Sequence, residues 1–178
     1  MFYFIQCLTY FRIISAPLIF FLIVIHNSYG WALILFILAS STDYWDGYLA
    51  RKFNLNSIFG EVLDPIADKI LITFIIISLT LELSSEFVGF VGGIMLIREF
   101  WVSALRDFNA REGRSKATVV TFFAKIKTAV QLITFSLFLL GLFLQNALLI
   151  FLANFFLFLA LIITIQTGLS YTIATFKK

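Results

Sequence analysis

Four aspartates at helical spacing stand out in this sequence because carboxylates are rare in its apolar surroundings. Two precede and two follow a short polar link: Asp43, Asp46, Asp64 and Asp68. A carboxylate at membrane depth is costly, so such a residue usually faces the protein interior or water and marks a functional site. Carboxylate oxygens suit a hard divalent cation, and four of them are enough for a two-metal site. The pattern therefore predicts bound Mg²⁺ or Mn²⁺.

Helical geometry places these carboxylates on two narrow faces. At about 100° per residue, Asp43 and Asp46 share one arc of a helix with the small residues Gly47 and Ala50. The two later aspartates are one turn apart on the next helix, and the short link between the helices predicts an antiparallel hairpin. We therefore expect both faces to meet at one end of the bundle. The small residues leave room for a ligand, and Arg51 beside them adds positive charge suited to phosphate.

The composition predicts an all-α protein that crosses a membrane several times. The chain is 61% hydrophobic and 13% charged, whereas soluble domains are roughly 25% charged. Its 178 residues leave room for about six spans of ~20 residues, and hence for one domain over residues 1–178. The apolar runs predict six transmembrane helices at 4–25, 31–51, 57–81, 87–108, 119–144 and 147–176.

The cations predict the orientation of these helices. The turns near 26–30, 82–86 and 145–146 contain no Lys or Arg, whereas the opposite helix ends and the C-terminus carry nine: Arg12, Arg51, Lys52, Arg106, Arg111, Arg114, Lys116, Lys177 and Lys178. By the positive-inside rule, both termini and the aspartates are expected on the cytoplasmic side. No segment resembles a transit peptide or a nucleic-acid-binding module. We therefore expect a bacterial inner-membrane protein whose net charge of +3 reflects its orientation in the bilayer and contacts with lipid head groups.

A second group of charged residues is predicted inside the fourth and fifth helices. Cations at membrane depth need anionic partners, and Glu99 and Asp107 could neutralise one or two of them. The remaining cations, with one more near the end of the fourth helix, would form a pocket for a phosphate-bearing ligand beside the metals. The predicted phosphate-binding set is Arg98, Arg106, Lys125 and Lys127.

The aspartate segment resembles the signature of the CDP-alcohol phosphatidyltransferases. Residues 43–51 read DYWDGYLAR, and Gly60, Asp64 and Asp68 follow at the spacing typical of that family. The resemblance implies a six-helix membrane fold, usually dimeric, whose two-metal site opens to the cytoplasm. It also implies that the first three aspartates bind metal and that Asp68 is both a metal ligand and the base that activates the acceptor hydroxyl. The donor-binding residues that it implies are Thr42, Asp43, Asp46, Gly47, Ala50, Arg51 and Gly60.

Further blocks resemble the branch of this family that uses glycerol 3-phosphate. These are residues 8–12 with Pro17 in the first helix, residues 59–69 in the third, residues 97–100 and 105–106 in the fourth, and residues 125–128 in the fifth. The resemblance implies CDP-diacylglycerol as donor, sn-glycerol 3-phosphate as acceptor, and phosphatidylglycerophosphate and CMP as products.

Two alternatives remain open at this point. The first is the same chemistry with another acceptor, namely inositol phosphate, serine or a second phospholipid; the predicted cationic pocket argues against serine. The second is a divalent-cation transporter that uses the aspartates as its transport site. Transporters commonly have repeated halves with interrupted helices, whereas the four aspartates of the predicted metal site lie in one predicted hairpin.

Overall fold

The computed structural model describes residues 2–53, 58–114, 118–119 and 121–177, with side-chain surroundings for 6–42, 45, 63–114, 118–119 and 121–177. Within these ranges the chain forms six α-helices, which confirms the predicted all-α fold. Their bounds are α1 Phe2–Phe20, α2 Tyr29–Phe53, α3 Ile58–Glu82, α4 Glu86–Arg111, α5 Phe122–Phe143 and α6 Ala147–Phe176. A π-helical turn, Phe21–Ile25, continues α1.

Polar residues form the turns between helices at one end of the bundle. Asn27, Ser84 and Gln145 have positive φ values of 52°, 47° and 50°, and such left-handed residues reverse the chain after a helix. The next helix then begins with a side-chain cap. The Ser85 hydroxyl accepts a hydrogen bond from a backbone N–H of α4, and the Asn146 side chain accepts two from α6. These caps set where α4 and α6 begin.

Four described helical segments are long and apolar enough to cross a membrane: Gln6–Ile25, Glu86–Arg111, Phe122–Phe143 and Ala147–Phe176. A shorter apolar segment, Tyr29–Thr42, begins α2. Large apolar side chains cover the outside of the bundle, including Phe90, Phe122 and Phe151 at 68–73% exposure. A soluble protein rarely exposes so much continuous apolar surface, so this exterior suits lipid contact. The structure is therefore that of a helical membrane protein.

The helix α1 lies between α2 and α3 and packs against both. The helix α5 packs against α2 and α6, while α4 packs against α3 and α6. Phe36, Ile75 and Phe135 are among the buried residues of the common core. A simple α2–α3 hairpin was predicted from the short link between these helices. In the structure α1, which comes earlier in the chain, packs against both of them, and the length of a link does not reveal such a contact. The predicted active-site helices are consequently connected through α1 as well as through their short link.

Candidate active site

Arg12 is a fully buried cation on α1 that contacts both active-site helices. Its Nη1 donates a hydrogen bond to Oδ1 of Asp68 at 2.6 Å, and its Nε donates to Oγ1 of Thr42 at 3.2 Å. From the sequence, Arg12 was interpreted as a cation that marks a cytoplasmic helix end and as part of the family-like block at residues 8–12. That interpretation was incomplete, since a guanidinium without solvent contact is tolerated only where an anion and further acceptors compensate it.

Thr9 makes the corresponding contact one turn earlier on α1. Its hydroxyl donates to Oδ1 of Asp64 at 2.7 Å, and the residue is almost fully buried. Thr9 and Arg12 are three residues apart, while Asp64 and Asp68 are four apart, so each pair lies on one helical face. The α1 face therefore orients both carboxylates of α3, as outer residues do around metal-binding carboxylates.

The other predicted ligands are placed only by their backbone. The helix α2 includes Asp43 and Asp46, but their side chains lie outside the described residues. The same holds for four predicted donor-binding residues: Gly47, Ala50, Arg51 and Gly60. Thr42 is described and buried, and its hydroxyl donates to the Ala39 carbonyl while it accepts from Arg12. Among the side chains that the structure does describe, no three His, Cys, Asp or Glu residues gather in a metal-binding group.

A polar cavity of about 240 Å³ adjoins Asp68 and lies between α3, α4 and α5. Its charged lining residues are Asp68, Lys69, Arg98, Glu99, Arg106 and Lys127. A smaller cavity of about 120 Å³ shares Asp68, Lys69, Glu99 and Lys127 with it, so the two adjoin. Asp68 is thus the residue common to the aspartate pair and to the cationic cavity, and its side chain is 48% exposed.

Glu99 neutralises two of the predicted phosphate-binding cations. Its Oε1 accepts a hydrogen bond from Lys127 Nζ and lies 3.4 Å from Arg98 Nη1. The second terminal nitrogen of Arg98 donates to Thr167 Oγ1 on α6 at 2.8 Å. A Cβ at Gly168 would lie 3.1 Å from Arg98 Cγ, so the glycine makes room for the arginine stem. These contacts fix both cations at the cavity wall.

Arg106 and Arg98 both lie near the ring of Tyr171. Their guanidinium carbons are 5.6 and 5.9 Å from the ring centroid, within the range of cation–π interaction. The Tyr171 hydroxyl accepts from the backbone N–H of Thr121 and donates to the carbonyl of Val119. Tyr171 therefore links the start of α5 to the two arginines. Arg106 itself is exposed and lines the cavity edge.

Two charged residues considered for this region lie outside the cavity. Lys125 is exposed rather than buried, and neither cavity that adjoins Asp68 has it in its lining. The helix α5 begins at Phe122 after the Thr121 cap, three residues later than predicted, so Lys125 lies close to the helix start. Asp107 pairs with Arg111 at 2.7 Å on the exposed surface and not with a cavity cation.

The chain belongs to the CDP-alcohol phosphatidyltransferase family, because the sequence model of that family matches residues 5–166. It is therefore an enzyme that transfers phosphatidyl groups. The match spans the helices that carry the four aspartates and the lining of the cationic cavity.

Three curated relatives carry the name CDP-diacylglycerol–glycerol-3-phosphate 3-phosphatidyltransferase. The protein from Wigglesworthia glossinidia brevipalpis is 40% identical over 131 residues, which cover 71% of each chain. The proteins from Escherichia coli K12 and Salmonella typhimurium LT2 are each 36% identical over 130 residues, 71% of this chain and 70% of theirs. All three relatives are bacterial.

Proposed function

We propose that this chain transfers the phosphatidyl group of CDP-diacylglycerol to sn-glycerol 3-phosphate, as a phosphatidylglycerophosphate synthase. The products are phosphatidylglycerophosphate and CMP, in phospholipid biosynthesis. The observation that carries the proposal is the position of Asp68, which is oriented by Arg12 on one side and lines a cavity with four cations on the other. The names of the bacterial relatives support the same donor and acceptor.

The cationic cavity supplies the acceptor side of the reaction. Arg98, Arg106 and Lys127 bind the phosphate of glycerol 3-phosphate, which leaves its sn-1 hydroxyl toward Asp68. Guanidinium groups suit phosphate oxygens because they donate two parallel hydrogen bonds. Lys125 is a peripheral member of this set, since it is exposed near the start of α5. Glu99 keeps the two buried cations in place when no acceptor is bound.

Asp68 acts as the general base. It accepts the proton of the sn-1 hydroxyl, and the hydroxyl oxygen forms a bond to the β-phosphorus of CDP-diacylglycerol. The bond from this phosphorus to the oxygen bridging the two phosphates breaks, and CMP leaves with that electron pair. Arg12 holds the Asp68 carboxylate in one orientation during proton transfer, and positioning of this kind is a main contribution of proteins to phosphoryl transfer.

A divalent metal fits the residues that are present. Asp64 and Asp68 offer hard oxygen ligands one turn apart, and each is oriented by a hydrogen bond from α1. Asp43 and Asp46 on α2 complete the proposed set for two Mg²⁺ or Mn²⁺ ions. When bound, these ions supply charge neutralisation at the phosphate oxygens and at the leaving group. The donor nucleotide is held by the α2 segment and the start of α3: Thr42, Asp43, Asp46, Gly47, Ala50, Arg51 and Gly60.

We further propose a single domain over residues 1–178 with six transmembrane helices and both termini in the cytoplasm. The three turns with left-handed residues lie in the predicted extracytoplasmic segments without Lys or Arg, which supports this orientation. The active site then opens to the cytoplasmic face of a bacterial inner membrane. The enzyme acts as a homodimer in the bilayer, as the family resemblance implies.

The acceptor is tested by CMP release from CDP-diacylglycerol with Mg²⁺ or Mn²⁺ and one acceptor at a time. The purified protein in detergent is given glycerol 3-phosphate, inositol phosphate, serine or a phospholipid, and lipid products are identified by mass. We expect release only with glycerol 3-phosphate. Release with a different acceptor alone would overturn the proposed pocket. A folded protein that releases no CMP with any acceptor would contradict phosphatidyl transfer and favour divalent-cation transport.

A further inference from the structure

Lys69 is a further cation of the cavity, and its place in the sequence block 59–69 gave it no predicted role. It follows Asp68 on α3 and lines both cavities that adjoin this aspartate. Its Nζ donates a hydrogen bond to Oγ of Ser103 on α4 at 2.7 Å. Ser103 lines the larger cavity as well. The hydrogen bond therefore holds the amine at the cavity wall, where α3 and α4 meet.

The surroundings of the Lys69 side chain are amphipathic. The residue also lines an apolar groove of about 250 Å³ with Ile66, Ile70 and Phe74. Its Nζ lies 5.5 Å from the centroid of the Phe100 ring. A lysine in such a place covers apolar surface with its methylene stem and keeps its amine with polar groups. The amine is consequently available to a ligand in the polar cavity.

Lys69 differs from the two buried cations of the cavity, Arg98 and Lys127, because no carboxylate in the described part of the chain neutralises its charge. Arg98 and Lys127 share Glu99, whereas Lys69 forms no ion pair with any carboxylate in the described part of the chain. Its only hydrogen-bond partner there is the neutral hydroxyl of Ser103. A half-buried cation in a membrane protein needs an anion. A lysine amine has three donors, so two remain for a phosphate after the bond to Ser103.

We infer that Lys69 binds the phosphate of the acceptor and that Ser103 positions its amine for this contact. The inference rests on the proposed function and adds a residue to its acceptor pocket. The donor diphosphate offers the same phosphoryl chemistry. The acceptor is favoured because Lys69 lines the same cavity as Arg98, Arg106 and Lys127 and hydrogen-bonds to α4, which carries two of those cations.

The test compares KM values for the two substrates in matched variants. Lys69→Met keeps the apolar stem and removes the charge, Lys69→Arg keeps the charge, and Ser103→Ala removes the positioning hydroxyl. Lys177→Met is the control, because Lys177 is exposed at the end of α6. We expect Lys69→Met to raise KM for glycerol 3-phosphate roughly ten- to a hundred-fold, the effect of losing a charged hydrogen bond. KM for CDP-diacylglycerol should change less than twofold.

The two conservative variants give the second readout. Lys69→Arg should restore most of the affinity for glycerol 3-phosphate, and Ser103→Ala should raise its KM by about two- to five-fold, as expected for one neutral hydrogen bond. Binding without turnover is followed by thermal stabilisation of the detergent-purified protein with inorganic phosphate. The wild type and Lys177→Met should be stabilised, and Lys69→Met should lose this effect.

Three results would overturn the inference. They are an unchanged KM for glycerol 3-phosphate in Lys69→Met, a rise confined to CDP-diacylglycerol, and undiminished stabilisation by phosphate. If Lys69→Met does not fold, the Ser103→Ala and Lys69→Arg values decide the question. Failure of the proposed function is recognised separately, since the wild type would then release no CMP with glycerol 3-phosphate whatever the variants do.

Discussion

Arg12 and Asp68 form an ion pair of 2.6 Å between the first and third helices, in which the guanidinium is fully buried and the carboxylate is half-exposed. The same guanidinium donates to Thr42, the residue before Asp43. One cation therefore fixes the position of a proposed catalytic carboxylate relative to the helix that carries the other proposed metal ligands. This contact joins residues far apart in sequence and makes α1 part of the proposed active site.

Arg12→Lys should fold but lose activity. A lysine keeps the charge but lacks the planar guanidinium that reaches Asp68 and Thr42 at once. We expect kcat to fall about 10- to 100-fold, in line with the loss of orientation at a reacting group. Steady-state CMP release measures kcat, and the Mg²⁺ dependence is recorded in parallel. A kcat within twofold of wild type would show that the bridge to Thr42 has no positioning role.

Thr9→Ala should weaken the binding of metal more than the binding of substrate. The substitution removes the hydrogen bond to Asp64, and loss of an outer contact to a ligand typically costs about 10- to 100-fold in metal affinity. Activity titrated with Mg²⁺ or Mn²⁺ should show a higher half-saturating concentration and recover at high metal. Thr9→Ser should behave like wild type. Ser170→Ala, on the exposed surface of α6, is the matched control. An unaltered metal titration of Thr9→Ala would refute this role.

Asp68→Asn should fold but release little CMP at any metal concentration. The amide cannot accept the proton from the acceptor hydroxyl, and general-base groups typically contribute about 10²- to 10⁴-fold to the rate. Asp64→Asn should differ, because added metal should partly restore its activity; Asp43→Asn should behave in the same way. Near-normal turnover of Asp68→Asn at saturating metal would exclude it as the base.

Glu99→Gln should lower thermal stability, and a second substitution should reverse part of the loss. The single change leaves Arg98 and Lys127 without their shared carboxylate, and removal of one partner of a buried ion pair costs about 3–5 kcal/mol. The exposure of Glu99, 23% of its side chain, reduces this cost. Glu99→Gln/Lys127→Met should melt at a higher temperature than Glu99→Gln, which a double-mutant cycle quantifies. Additive melting shifts would show that the two residues are not coupled.

Much of this site follows from local patterns in the sequence. Helical spacing is enough to place Asp64 and Asp68 on one face, because helix geometry is the same wherever the helix packs. Apolar run lengths predicted the six helices to within a few residues. The cations Arg98 and Lys127 were predicted to need an anion, and Glu99 was correctly identified as a candidate.

The remaining features depend on packing between distant helices. In the sequence, Arg12 resembles a cation that marks the cytoplasmic end of a helix. Only the three-dimensional arrangement of the helices brings it into contact with Asp68. Lys69 carries no motif of its own beyond its position after that aspartate. Lys125 is exposed whereas Lys127 is buried, because the two lie about 200° apart around α5 and an apolar run does not reveal which face packs inward. Helical spacing along the chain can thus be read from the sequence, whereas a contact between distant helices such as Arg12–Asp68 cannot.

The most direct test of the proposed reaction is to follow the sn-1 hydroxyl oxygen of the acceptor. The purified enzyme is given CDP-diacylglycerol and glycerol 3-phosphate carrying oxygen-18 at that hydroxyl. The masses of both products are then determined by mass spectrometry. Attack of this oxygen on the β-phosphorus predicts phosphatidylglycerophosphate that retains the label and CMP without it. Unlabelled lipid, or label in CMP, would contradict the transfer of the phosphatidyl group to glycerol 3-phosphate.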